Sequence, residues 1–426
     1  MRSLMRIRVL LLLGASTLFA ADERQLALAL RAQTDFDRVE LGVHPQVVET
    51  SACIQSQAAV IAVTPRAELS LLHFRKGYCE VVEATLTRRA ADFLEAAGDF
   101  DKSIAAWPDA IGRTTDNAPQ PVSSGLRILA AISRLEPDPM AAAQKEKQEI
   151  AASVERPACP TSVMSMTLCQ SMVAVGREWL GWFALDQDDF IEAGRQFSSA
   201  PQSAWAQWSA GRKAYRDRNY QEASARYLAA VRFWSIQNRQ EGPLAARLEP
   251  QPNMGQAWMQ LGGAQVLAGQ PAEAVPSLDA AIKADPTLAR AIYYRARAEE
   301  LVGRNEASIA DYNLASRTAF ANAKDLMSGE AHLYRGISLL RRKDFSHAED
   351  EFASALNFGI PEELRHDAEA WRYMAAVAGG ACGSSRRMLE DSLAYASPFF
   401  PKQEARSVAA SCPLSGGSAP VSGALQ

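Results

Sequence analysis

Motifs of the common enzyme classes are missing from this chain of 426 residues. It has no glycine-rich phosphate-binding loop, no HExxH metal motif and no GxSxG nucleophile elbow. Histidine is scarce, with five in the whole chain. His332 and His347 are the candidates for a metal site, and surface or core positions are the alternative for both. We therefore expect no catalytic residue, no metal and no cofactor.

A basic surface is also missing. The formal net charge is −4, and charged residues make up 22% of the chain. Nucleic-acid-binding surfaces need an excess of lysine and arginine to neutralise phosphates, so we expect no nucleic-acid partner. The apolar content of 48% is that of a globular protein.

Long hydrophobic runs are absent except for a short one at the N-terminus. Three arginines precede the apolar run Val9–Leu13, and small residues follow at Ala20 and Ala21. This order predicts a secretory signal peptide over residues 1–20, and the alternative is an N-terminal membrane anchor. The run is short for a bilayer span, which favours the signal peptide and no direct membrane insertion after cleavage. We therefore expect an exported protein, periplasmic or secreted.

Cysteine is sparse, and no CxxC motif occurs, which disfavours zinc and thioredoxin-like redox chemistry. An even count after a signal peptide permits three disulfides, although six cysteines allow 15 pairings and buried free thiols are the alternative. Clustering along the chain favours local pairs. These are Cys53 with Cys79, Cys159 with Cys169, and Cys382 with Cys412.

The stretch from Gly255 to Leu288 has the clearest pattern in the chain. Its markers are Trp258, Leu261, Gly262, Gly269, Ala274, Leu278, Ala281 and Pro286. The first markers lie three or four residues apart, as on one face of a helix. Gly269 suits a turn, Pro271 suits the start of a second helix, and Asp285-Pro286 suits its end.

This spacing resembles the tetratricopeptide repeat (TPR), a helix–turn–helix unit of about 34 residues. Further units match in register at Ala174, Ala204, Ala289 and Gly329, with weaker ones at Ala84 and Ala368. The resemblance implies an all-α fold, a right-handed superhelical solenoid of stacked hairpins. The weak unit at Ala84 predicts a turn at Gly98, and Gly379-Gly380 is expected to interrupt the last hairpin's first helix.

The pattern divides the chain into eight segments. After the signal peptide we expect an N-terminal helical cap (21–83), degenerate TPR-like helices (84–158), TPR repeats (159–238), an inserted surface loop (239–254), more TPR repeats (255–362), a C-terminal helical hairpin cap (363–412) and a disordered tail (413–426).

The resemblance also implies a binding surface, because the first helices of TPR hairpins line a concave groove. The residues that match its lining positions include tryptophan, tyrosine and arginine, which dominate binding hot spots. They are Trp182, Trp205, Trp208, Arg212, Tyr215, Arg216, Arg290, Tyr293 and Arg297. An alternative is that Trp205 and Trp208 only pack against the neighbouring helix.

The function predicted is a non-enzymatic scaffold that holds a protein or peptide in this groove, with an acidic or aromatic-bearing peptide as a suitable ligand. One alternative is a structural or assembly factor of an envelope complex that uses the convex face or the 239–254 insertion. Another is a hydrolase or carbohydrate-active enzyme in the N-terminal region, for which the sequence offers no nucleophile–base motif.

Overall fold

A computed structural model describes residues 23–42, 45–65, 68–107, 121–139, 143–236, 242–323 and 328–412. Within these ranges the chain is all-α, with twenty helices and no strand, which confirms the predicted fold class. None of the described helices has the length and apolarity required to cross a bilayer. The predicted signal peptide and the predicted tail lie outside the described residues.

The chain divides into two compact units. Unit 1 comprises Met1–Ser209 and Ile236–Gln251 and unit 2 comprises Ala210–Ser235 and Pro252–Gln426. The unit 1 helices are α1 (Glu23–Leu41), α2 (Val47–Ile61), α3 (Leu69–Thr87), α4 (Ala90–Ala105), α5 (Ser124–Leu135), α6 (Ala143–Glu155), α7 (Met166–Asp186), α8 (Phe190–Phe197) and α11 (Leu244–Arg247).

The helices of unit 2 follow the same hairpin order. They are α10 (Tyr220–Ile236), α12 (Met254–Leu267), α13 (Pro271–Ala284), α14 (Ala289–Leu301), α15 (Asn305–Asn322), α16 (Gly329–Arg341), α17 (Phe345–Asn357), α18 (Glu362–Ala378), α19 (Ser384–Ser392) and α20 (Lys402–Ala410). Helix α9 (Ala204–Arg216) contributes its first residues to unit 1 and the rest to unit 2.

One small residue in the first helix of each clear hairpin packs against a large residue sixteen positions later. A Cβ atom placed on Gly262 would lie 2.4 Å from Leu278 Cγ. The same relation holds for Gly181 with Phe197, Gly211 with Tyr227, and Gly336 with Phe352, at 2.4 to 2.6 Å. A side chain at the small position would push the helices apart, so the glycines allow close backbone packing.

The turn of each hairpin is a helix C-cap in which one residue takes the left-handed conformation. Gly269 and Gly303 do so with φ of 74° and 81°, as the glycine markers predicted. At the equivalent position three repeats use a non-glycine residue, namely Asp188, Arg218 and Lys343. In each case the next amide donates to the carbonyl five residues earlier, for example Gln270 N to Gln265 O at 2.9 Å. This is the Schellman bond that satisfies an otherwise unpaired helix-end carbonyl.

The predicted turn at Gly98 is wrong. Gly98 lies inside α4, and the turn before that helix is formed by Arg88, with φ of 59°. Helices α3 and α4 therefore form the hairpin, and Ser70 and Ser103 join its open end by mutual hydrogen bonds of 2.9 and 2.7 Å. The sequence pattern misled here because the left-handed residue is an arginine, which gives no glycine signal.

The expectation of an interrupted helix near the C-terminus is also wrong. Helix α18 runs unbroken to Ala378, and Gly380 forms the turn with φ of 99°. Helices α18, α19 and α20 then form the C-terminal part of unit 2.

Over its described residues, 242–254, the inserted segment is not a surface loop. Its described part contains α11, and the side chains of Leu244 and Leu248 belong to the hydrophobic core of unit 1. Apolar burial explains this position, since each leucine removed from water contributes about 2 kcal/mol.

All six cysteines form disulfides in the three local pairs favoured by their clustering. The first two bonds lie in unit 1, and the Cys382–Cys412 bond lies in unit 2. Disulfides are typical of proteins that fold in oxidising compartments.

Candidate partner-binding surfaces

The nine residues predicted to line a groove fall in both units. Trp182, Trp205 and Trp208 belong to unit 1, and Arg212, Tyr215, Arg216, Arg290, Tyr293 and Arg297 belong to unit 2. We describe the two groups separately, using "first-helix face" for the surface formed by the first helices of the hairpins in one unit.

The tryptophans of unit 1 are more buried than the groove hypothesis requires. Trp205 is only 5% exposed, and its indole Nε1 donates to the Pro250 carbonyl at 3.1 Å. Trp182 packs edge-on against Phe183 at a ring distance of 5.2 Å, and Trp208 is partly buried. The prediction that Trp205 faces an open groove is therefore wrong, because the inserted segment of the same chain covers it.

Two of the predicted groove residues in unit 2 are internal. Tyr293 is 1% exposed and stacks on Tyr334 at a ring distance of 4.9 Å. Arg297 is 6% exposed and forms an ion pair with Glu300. A partner could not reach either side chain in this structure, so the expectation of an exposed position is wrong for both.

A C-terminal segment, residues 397–410, folds onto the first-helix face of unit 2. Phe399 stacks on Tyr294 of α14 with a ring distance of 4.4 Å. Ser397 donates to Asp367 of α18, from its amide at 2.6 Å and its hydroxyl at 2.5 Å. Glu404 of α20 pairs with Arg341 of α16 at 2.5 Å.

Arg341 connects the C-terminal segment to the buried ion pair of Arg297 and Glu300. Its guanidinium lies 2.5 Å from Glu300, which also accepts from the Tyr312 hydroxyl at 3.1 Å. Burial alone would lower the pKa of Arg341, but Glu300 and Glu404 outweigh it and raise that pKa. Glu300 thus joins Arg297 to Arg341 by two ion pairs, and Arg341 in turn joins them to Glu404 of the C-terminal segment.

A cleft of about 470 Å³ remains on the first-helix face of unit 2, at the beginnings of its first helices. Its lining is mostly polar. The residues are Gln256, Met259, Thr287, Leu288, Ala289, Arg290, Ala319, Asn322, Ala323, Ser328, Gly329, Glu330, Gly359 and Pro361. Among the nine predicted residues, Arg290 is the one that lines it.

Two carboxylates hold the guanidinium of Arg290. Its Nη2 lies 3.0 Å from Glu330 Oε1 and 3.2 Å from Glu363 Oε1. Burial would lower the pKa of Arg290, but Tyr294 and Glu330 raise it above its usual range. The group of three charges carries a net charge of −1, and Glu363 is largely exposed.

Sequence reasoning missed Glu330 and Glu363, although a signal for Glu330 was present. Gln256, Arg290 and Glu330 each hold the second position of their repeat, so the repeat register places them in one row. Glu363 carries no such signal, since the first helix of the last hairpin begins earlier than its pattern indicates.

The remaining three predicted residues lie at the end of α9. Arg216 is exposed, while Arg212 and Tyr215 are partly buried. Tyr215 packs edge-on against Tyr220 with a ring distance of 5.4 Å. Burial raises the pKa of the Tyr215 hydroxyl, and nearby Tyr294 and Tyr220 raise it further. None of the three lines the cleft.

The histidines considered for a metal each meet a carboxylate instead. His332 Nδ1 lies 2.8 Å from Glu351, and His347 Nδ1 lies 2.8 Å from Asp344. The part of the chain that the structure describes holds no cluster of three histidine, cysteine or acidic side chains placed to bind a metal.

Comparison with known proteins gives matches among solved structures alone, since no family model and no curated protein matches this chain. A structure of MamA protein is 15% identical with a TM-score of 0.30, covering 45% of this chain and 91% of its own. A tetratricopeptide repeat protein from Parabacteroides merdae is 13% identical with a TM-score of 0.29, covering 82% and 99%. Yeast Tom70 is 10% identical with a TM-score of 0.35, covering 90% and 88%.

The repeat architecture is assigned from the hairpins of this chain. Their shared small–large pair and their shared left-handed turn position recur in the register of the sequence pattern. The hairpins that share these two features are stacked helix–turn–helix repeats in the register of the tetratricopeptide pattern.

Proposed function

We propose that this protein is a non-enzymatic scaffold that binds a protein or peptide partner in the cleft of unit 2. The observation that carries the proposal is the cleft itself, which presents Arg290 and Glu330 at equivalent positions of consecutive repeats. Clefts with a few convergent polar groups are the usual place for a ligand. The mixed lining suits a polypeptide, which offers backbone donors and acceptors as well as side chains.

The charges favour a partner segment that carries lysine or arginine. Glu330 and Glu363 already neutralise Arg290, so an acidic peptide would compete with them and meet a net negative charge. A basic side chain would meet Glu363 at the exposed edge of the cleft. This replaces the acidic ligand that the isolated sequence suggests.

The experiment begins by purifying the partner with the mature protein from envelope extract and measuring its affinity for the pure chain. We expect Glu330→Gln with Glu363→Gln to weaken binding about tenfold, as loss of charge-assisted hydrogen bonds implies. Asp279→Asn with Glu349→Gln is the matched control, because it removes two carboxylates of unit 2 outside the cleft. Equal affinities for the two double variants would refute the cleft as the binding site.

We also propose that the protein is exported. The order of arginines, apolar run and small residues at the N-terminus supports this, and so do the three disulfides. Fractionation of cells expressing the full chain should recover it outside the cytoplasm, shortened by about 20 residues. Recovery of the full-length chain from the cytoplasm would contradict export.

A further inference from the structure

The inserted segment, residues 242–251, lies against first helices of unit 1 as a bound peptide would. Two tryptophans donate hydrogen bonds to its backbone carbonyls. Trp179 of α7 donates from Nε1 to the Leu248 carbonyl at 2.8 Å, and Trp205 of α9 donates to the Pro250 carbonyl at 3.1 Å. The chain bends at Leu248 and at the residue after it, so the two indoles donate to carbonyls on a bend that follows α11.

The segment is anchored by two apolar side chains that enter the core. Leu244 and Leu248 are four residues apart, at the start of α11 and just after its end, which puts them on one side of the helical turn. Both belong to the hydrophobic cluster that contains Trp179 and Tyr78. A short helical turn with two leucines, followed by a bend, is therefore the shape that this surface accepts.

Arg247 weakens the packing of residues 242–251 against this surface. This side chain is 3% exposed, and its Nη1 has no hydrogen-bond partner. Its Nε donates to the Gly242 carbonyl at 2.8 Å, and Arg247 forms no ion pair within the described residues. Burial lowers the pKa of Arg247, while the nearby Tyr78 acts in the opposite direction. A buried cation without a carboxylate is unfavourable, so the docked state carries an internal penalty.

No disulfide crosses this segment. In unit 2, by contrast, the Cys382–Cys412 bond ties down the end of the C-terminal segment. The contacts that hold the insertion include two hydrogen bonds to indoles and two buried leucines, all of which a peptide in solution could reproduce.

We propose that residues 242–251 are an intramolecular ligand that covers a second peptide-binding surface, formed in unit 1 by Trp179, Trp205 and the leucine sites. The partner is a protein segment with two leucines four residues apart, an uncharged residue in place of Arg247, and a bend after the second leucine. Such a segment displaces the insertion. This inference does not depend on the cleft of unit 2.

The test uses the full chain with Leu244→Ser and Leu248→Ser, which removes the anchors of the insertion. The probe is a fluorescent peptide of residues 242–252 carrying Arg247→Met, and anisotropy measures its binding. We expect saturable binding to the variant and at least tenfold weaker binding to the wild type, whose tethered segment competes at high effective concentration. The same peptide with serine at both leucine positions should not bind.

Several results would overturn the proposal. If the double variant loses its helical circular dichroism, the insertion is part of the structural core and not a ligand. A folded variant that fails to bind the peptide would be equally decisive. The full chain with Arg247→Met should unfold at a higher temperature, and a lower temperature would refute the penalty argument. Glu330→Gln with Glu363→Gln should leave binding of this probe unchanged, which separates this surface from the cleft of unit 2.

Discussion

At the scale of the residue, each hairpin depends on one small side chain facing one large one. Gly262 meets Leu278 with no room for a further carbon atom, and Gly336 meets Phe352 in the same way. Gly98 differs, since a Cβ atom there would meet nothing within 4 Å. Substitution by alanine is therefore expected to change the free energy of unfolding in opposite directions at the two kinds of glycine.

We expect Gly262→Ala to lower the free energy of unfolding by about 1 to 3 kcal/mol, because the new methyl group forces Leu278 to move. Gly98→Ala should raise it by about 0.5 to 1 kcal/mol, since alanine restricts the unfolded chain and fits the helix. Urea unfolding followed by circular dichroism measures both. Destabilisation of similar size at the two positions would refute the packing argument.

A buried group of charges in unit 1 lies between α3 and α4. Lys76 pairs with both Glu80 and Asp99, and Asp99 also lies 2.7 Å from His73 Nδ1 and 3.2 Å from Lys102. Burial raises the pKa of Glu80 to about 7, against the opposing effect of Lys76. Burial would also raise the pKa of Asp99, but hydrogen bonds from His73, Lys76 and Lys102 outweigh it and lower that pKa.

The raised pKa of Glu80 predicts how stability depends on pH. The folded state holds a proton that the unfolded state releases, so this contribution is complete below pH 4.5 and is lost as pH rises through about 7. Between pH 4.5 and pH 7 the free energy of unfolding of the wild type should fall by about 1 to 3 kcal/mol relative to that of Glu80→Gln. Urea unfolding at several pH values measures this. A difference between the two proteins that does not change over pH 4.5 to 7 would contradict the assignment.

At the scale of the element, the two disulfides of unit 1 secure parts of the chain that precede the clear repeats, which begin at Ala174. In unit 1 the Cys53–Cys79 bond joins α2 to α3, and the Cys159–Cys169 bond ties the start of α7 to the segment before it. The residues are 26 and 10 positions apart in sequence, so the two bonds restrict the unfolded chain to different degrees.

Replacing the cysteines by serine, one pair at a time, should destabilise unit 1 unequally. Loop-closure entropy predicts losses of roughly 3 to 4 kcal/mol for Cys53–Cys79 and roughly 2 to 3 kcal/mol for Cys159–Cys169. Calorimetry and urea unfolding of the oxidised variants measure the order. If the pair closing the shorter loop gives the larger loss, packing around the sulfurs outweighs chain entropy.

At the scale of the whole molecule, the two units share one design, in which a segment outside the repeat pattern lies on first helices. Residues 242–251 do so in unit 1, and residues 397–410 do so in unit 2. Stability in a stacked-hairpin protein is still local, because each repeat is held mainly by its neighbours.

This locality can be measured by hydrogen exchange. Gly336→Ala should accelerate amide exchange in α16, α17 and the helices next to them, while α3 and α4 in unit 1 exchange as in the wild type. Mass spectrometry of proteolytic fragments resolves these regions. Equal acceleration throughout both units would show that the chain unfolds as a single cooperative body.

The sequence by itself determined the local structure of this protein. The helix class, the hairpin register from Ala174 to Leu356 and the favoured disulfide pairs follow from spacing. Such features are local, because a turn residue or a small–large pair acts within about one repeat of about 34 residues. Where the local signal was weak, as at Arg88, the prediction failed.

Only the tertiary structure decided which faces remain open. Nothing in the spacing of Trp205 or Tyr294 shows that segments distant in sequence lie on them. Leu248 and Phe399 have no repeat position, so periodicity cannot place them. They lie on first helices because burying apolar side chains there releases water, an effect that depends on surface area and carries no sequence spacing.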